Sequence, residues 1–179
     1  TILLFPFTKV LEKCAVLTVP DKKVKDKNVL LDERLLLAPS FAIAECVRQT
    51  TKMAEIVEFN FINSTKMLKS FHMKKAEQIK NNEIKIDTYE DKLDSFLLKL
   101  SGKELTEEDN NRISQLLLVI GDYERIGDHA AYILKVAEKM KNDDRRLSND
   151  AVEELKVIVK AVSEIFAMTL EVFRTDNTS

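Results

Sequence analysis

The chain has 179 residues and a formal charge of −2 from 28 basic and 30 acidic side chains, so it reads as one domain with enough apolar content for a core. Three glycines, three prolines and no sustained alternation of apolar with polar residues argue against a sheet protein and for long helices. The balanced charge, without arginine blocks or interleaved aromatics, excludes a basic groove for nucleic acid. Cys14 and Cys46 make neither a metal spacing nor a disulfide framework, which suits a reducing, intracellular compartment.

Thr1 to Val19 is rich in Leu, Phe and Val but interrupted by Lys9, Glu12 and Lys13. Its longest apolar run is about one third of the ~20 residues a membrane span needs, and nothing in it reads as a signal peptide. Two readings stay open: an amphipathic helix, or the cytoplasmic end of a longer membrane helix. Pro20 to Asp32 then brings Lys22, Lys23, Lys25 and Lys27 close together. That is either a solvated linker or a juxtamembrane basic segment.

A first helix is expected from Pro39 and Ser40 to about Phe71, with an apolar stripe of Ala44, Val47, Ala54, Val57, Phe61, Thr65 and Leu68. No Gly or Pro marks its end. A second helix is expected over 75–100, with the stripe Ile86, Tyr89, Leu93, Phe96, Leu97 and Leu100. Beside that stripe runs a column of acids, Glu83, Asp87, Glu90, Asp91 and Asp94. Glu90 falls at the stripe's edge and Asp94 one turn on, while Asp91 points toward water. Ser101 and Gly102 end this helix.

Thr106, followed by acids at 107–109, caps a third helix that runs to Lys141. Its inward stripe reads Ile113, Leu117, Ile120, Glu124, Gly127, Ala131 and Leu134, so a glutamate stands where periodicity expects an apolar side chain. Asp128 lies one turn beyond on nearly the same line, and burying two such charges calls for compensation. The short connection makes the second and third helices antiparallel neighbours, so Glu90 and Asp94 form a second pair facing them. Counted from the turn, Glu90 lies about 13 residues back and Glu124 about 20 forward, a mismatch of roughly 10 Å. Ser148 caps a fourth helix through Leu155, Val159, Val162, Phe166, Leu170 and Phe173.

Carboxylates converging in this way suit Mg²⁺, Mn²⁺, Fe or Zn²⁺; the alternative is ordinary ion pairing with Arg125, Lys92, Lys85 or lysines of the first helix. His129 follows Glu124 by five residues and points to another face, which excludes the Glu-x-x-His of di-iron bundles. No phosphate-binding glycine loop, nucleophile elbow or zincin motif is present, and no catalytic activity is expected. His72 reads as a surface residue near a turn.

The segment DYERIGDHAAYI at 122–133 resembles the signature of PhoU-type phosphate-regulatory domains, and YEDKLD at 89–94 is similar to that family's second-helix acidic motif. MAEIV at 53–57 fits the order of elements. The opening TILLFPFTKVLEKCAVLTVP, with LDERLL downstream, resembles the junction between the last membrane helix and the PhoU-like domain of bacterial sodium/phosphate cotransporters. The resemblance implies an all-α, elongated antiparallel bundle: one three-helix repeat over 34–141 and the first helix of a second repeat over 148–179, after a membrane-proximal segment over 1–33. It implies a regulatory domain on the cytoplasmic face of the bacterial inner membrane. Its partner would be the membrane part that handles sodium and phosphate, and a homodimer would pair an apolar face of the fourth helix. It also implies an iron or zinc cluster held by Glu90, Asp94, Glu124 and Asp128, with Asp87 and Asp91 as secondary candidates. The chain departs from the family in lacking a second acidic pair and a second Glu-Arg-Ile-Gly-Asp. A free-standing phosphate-signalling adaptor and a metal-free helical interaction module are the other readings.

Overall fold

A computed structural model describes residues 31–175, and the expectations for the apolar stretch at 1–19 and the lysines at 22–27 lie outside the described residues. Four helices follow a short 3₁₀ turn at Glu33–Leu37: α1 (Pro39–Met67), α2 (Met73–Ser101), α3 (Glu107–Asn142) and α4 (Asn149–Thr175). No strand occurs among the described residues. The expected all-α antiparallel bundle is therefore what forms, and at 1.5 Å per residue the 36-residue α3 extends about 54 Å. No helix among the described residues is long and apolar enough to cross a membrane.

Local chemistry sets the helix ends. Pro39 opens α1, where its missing N–H costs nothing. The Thr106 hydroxyl accepts from the Asp109 N–H at 3.1 Å and donates to the Asp109 carboxylate at 2.8 Å, with three acids in the first turn of α3. At the other end of α3, Asp144 takes the left-handed φ of 50° that short polar side chains tolerate, and the Arg145 N–H returns to the Met140 carbonyl at 2.8 Å. The Ser148 hydroxyl accepts from the Ala151 N–H at the start of α4. The α1–α2 turn comes four residues before the expected Phe71; there the His72 N–H meets the Met67 sulfur at 3.2 Å, a junction made without Gly or Pro.

α1 is the central helix, packed against α2, α3 and α4, while α2 and α3 also pack on each other. The main core joins Ala42, Cys46, Val47, Met53 and Val57 of α1 to Leu93, Leu97 and Leu100 of α2, Ile113, Leu116 and Ile120 of α3, and Phe166 and Leu170 of α4. All six expected stripe residues of α2 are buried. Ala44 is not: it faces solvent, and Ala42, Ile43 and Cys46 take the inward positions at the start of α1. Asn60 lies fully buried in the α1–α2 contact, donating to the Ile79 carbonyl at 3.1 Å and accepting from Asn82 at 3.0 Å, so that polar seam is satisfied.

α3 departs from expectation in a way that bears on the site. Leu116, Tyr123 and Ala130 are buried, whereas Glu124 is only partly so. The true inward face is rotated toward Tyr123, whose ring meets Phe166 of α4 at 5.8 Å between centroids. Glu124 thus stands at the edge of the core, on the flank turned to α2.

Candidate functional site: an acidic groove between α2 and α3

Gly127 decides how close the two acid-bearing helices come. A Cβ on it would lie 3.2 Å from Cδ1 and 3.3 Å from Cγ2 of Ile86, tighter than ordinary van der Waals contact. Glycine here lets α3 settle onto Ile86 of α2, and that contact fixes the register. With residue 86 level with residue 127 in an antiparallel pair, Glu90 falls level with residue 123, beside Glu124. The mismatch of roughly 10 Å expected from counting outward from the turn is therefore absent for this pair.

The same register sorts the other acids. Asp128 comes opposite the stretch between Glu83 and Asp87, and both feel its negative charge. Glu124 feels Asp128 at hydrogen-bond contact and Asp87 across the groove, and Glu90 feels Asp94 and Asp91 of its own helix and then Glu124. Asp94 lies a turn further along α2, where burial and then Asp91 push its carboxyl up. One of its oxygens is buried without a hydrogen-bond partner among the described residues. Asp91 is exposed. Of the expected quartet, then, Glu124 touches Asp128, and Glu90 feels Glu124 across the groove and, more strongly, Asp94 on its own helix, while Asp87 and the unanticipated Glu83 join through Asp128. Glu83 belongs to the same acid column of α2; what singled it out is the Gly127 register.

Electrostatically the groove is frustrated. The carboxyls of Glu83, Asp87, Glu90 and Glu124 are all held above their ordinary values, first by burial and then by neighbouring acids, chiefly Asp128 at Asp87 and Glu124, and Asp94 and Asp91 at Glu90, while Lys135 offsets part of this at Glu83. The nearest cations make their ion pairs outside the groove, Arg125 with Asp122 at 3.6 Å and Lys80 with Glu138 at 2.7 Å, and offset only part of the crowding at Glu124 and Glu83. His129 is exposed, and His72 meets Ser70 at 3.3 Å at the α1–α2 turn. Carboxylates crowded together and short of counter-charge suit a hard or borderline cation in donor type and charge. Among the described residues, however, no three Asp, Glu, His or Cys side chains already surround one point as ligands. The groove has the donors of a metal site without a preformed cage.

Residues 50–137 match the PhoU domain family. The match runs from the middle of α1 through α2 to near the end of α3, just under half of the chain, and takes in every acid of the groove. It supports a PhoU-like domain in a helical bundle and a regulatory or accessory role in phosphate transport, in a family of regulatory helical domains rather than of known enzymes. Comparison with curated proteins and with solved structures gives no match.

Proposed function

We propose that the chain is the cytoplasmic regulatory domain of a sodium-dependent phosphate transporter, lying at the inner face of the bacterial cell membrane. In this reading the membrane part carries sodium and phosphate, and the PhoU-like bundle tunes that transport through a metal held in the groove. Support for the transporter comes from the resemblance of residues 1–20, with LDERLL at 31–36, to a membrane-helix junction. Support for the metal comes from one observation: within the PhoU match, carboxylates of α2 and α3 face one another across the groove, and the proton affinities of Asp87 and Glu124 are raised, first by burial and then by the neighbouring Asp128. Glu90, Glu124, Asp128 and Asp87 would hold the ion, iron or zinc being the metals the resemblance implies, with Glu83 at the rim. The ion would supply the missing counter-charge and tie α2 to α3, stiffening the pair that carries the signal.

The test is phosphate uptake by cells producing the whole natural protein, wild type or Asp87→Asn/Glu124→Gln/Asp128→Asn, grown in scarce and in ample phosphate. The proposal expects the variant to transport but to lose its response to supply. Uptake that tracks supply equally in both proteins would overturn it.

A further inference from the structure

The buried apolar side chains form two clusters, with a layer between them that lacks large buried apolar groups. The larger cluster is the main core; the smaller joins Met67 of α1, Ala76 and Ile79 of α2, and Leu134 and Ala137 of α3. Between Val57 and Met67, α1 buries only Asn60, Asn63, Ser64 and Thr65. α2 buries nothing between Ile79 and Ile86, and between Tyr123 and Leu134 α3 buries only Gly127, Ala130 and Ala131. The bonds of Asn60 to Ile79 and Asn82, and the contact of Gly127 with Ile86, set these three stretches at one level. Every buried residue in the layer is therefore polar or no larger than alanine.

Such a layer weakens cohesion without breaking the fold. Its polar groups are satisfied: Asn60 bonds to α2 through both ends of its amide, Ser64 and Thr65 donate to the Phe61 carbonyl at 3.0 and 3.1 Å, and Lys75 donates to Asn63 at 2.8 Å. A satisfied buried hydrogen bond adds less to stability than a buried leucine or isoleucine in the same place. Met67, Ile79 and Leu134 are the large buried side chains beyond the layer among the described residues. The main core holds many more, Met53, Leu93, Leu97, Leu100, Leu116 and Ile120 among them. Two ties across the far end lie at the surface, Lys80 with Glu138 at 2.7 Å and Lys141 over the Phe71 ring at 4.6 Å. Contacts of that kind are weak.

We infer that the end of the bundle beyond this layer, residues 61–81 with the α1–α2 turn and residues 132–142 of α3, opens and closes as one unit while the main core stays folded. The opening is a step at the Asn60–Asn82 layer, not a gradual fraying of three helix ends, because large buried apolar side chains stop there on all three helices at once. The acidic groove ends at this boundary. Glu83 follows Asn82, and Lys135, which offsets part of the burial-raised proton affinity of Glu83, belongs to the opening unit. Each opening withdraws that cation, so the fold couples the charge of the groove to the state of the far end. The opening itself needs no metal in the groove.

Native-state hydrogen exchange of the 179-residue chain in chelator, followed residue by residue by NMR, tests this. Amides of residues 64–67, 77–80 and 134–140 are expected to share one protection level, at least about 30-fold below that of residues 46–57, 89–97 and 113–123, with one common denaturant dependence. A smooth fall of protection toward the α1–α2 turn, or equal protection on both sides of the layer, would overturn the inference. Asn60→Leu/Asn82→Leu fills the layer with apolar side chains and is expected to bring the far-end amides within about threefold of the main core. A step that persists unchanged in that variant would overturn the role given to the layer. The wild-type profile decides the inference whether or not the double variant folds.

Discussion

Replacing Glu124 by Gln removes one negative charge from the groove and leaves the side chain's shape. Burial, then Asp128, then Asp87 hold the Glu124 carboxyl above its ordinary value of 4.5. A carboxyl raised in the folded state contributes stability fully present below its unfolded value, and that contribution is lost as pH rises through the folded value. At pH 7 the ionised Glu124 therefore opposes folding. Each like-charge contact of a partly exposed carboxylate is worth only a few tenths of a kcal/mol, and Glu124 has such contacts with Asp128, Asp87 and Glu90, so the sum is about 0.5–1 kcal/mol. For a domain of this size that raises Tm by about 1–4 °C. Thermal melts followed by circular dichroism, in chelator, should show Glu124→Gln more stable at pH 7 and level with wild type at pH 4. Destabilisation at pH 7, or the same gain at pH 4, would refute the picture of a groove starved of counter-charge.

Other changes probe the frame of the groove. Gly127→Leu should cost about 1–3 kcal/mol by driving α3 off Ile86, and adding Ile86→Ala should recover part of the loss in denaturant titrations. Thr106→Ala removes the acceptor for the Asp109 N–H and should cost about 1 kcal/mol, with the m-value unchanged. The Cys46 thiol is buried and pushed up to about 12 by burial, so in a Cys14→Ser background it should resist thiol reagents at pH 8 until the chain unfolds. Rapid labelling of the native protein would contradict that burial.

Much of this fold was legible in the sequence because its helices are long and their stripes regular. The stripe of α2 is correct at every position, and the Thr106 and Ser148 caps lie where polar residues precede apolar periodicity. The inward face of α3 was harder to read. Ile120 and Gly127 fit a stripe through Glu124 as well as one through Tyr123, and the packing of α3 on α1, with Phe166 of α4 meeting Tyr123, goes with the second. Ala44 misled for a similar reason: a small apolar residue satisfies a periodic pattern on either face of a helix.

Inter-helix register is the part that a single chain does not encode by spacing. The acids of both helices were visible as columns, and their mutual assignment was not. One contact, Gly127 on Ile86, draws Glu90 level with Glu124 and brings Asp87 and Glu83 to Asp128. A glycine inside a helix, where it costs about 1 kcal/mol relative to Ala, was the available sign that two helices approach closely there.

The central claim, that the α2–α3 groove holds a metal, is tested most directly by elemental analysis of the chain purified without chelator, set beside Asp87→Asn/Glu124→Gln/Asp128→Asn purified identically. The account requires bound metal in the wild type and its loss from the variant, with helical content unchanged. Negligible metal in both, or equal metal in both, would contradict it and leave the acids as a frustrated surface without a ligand.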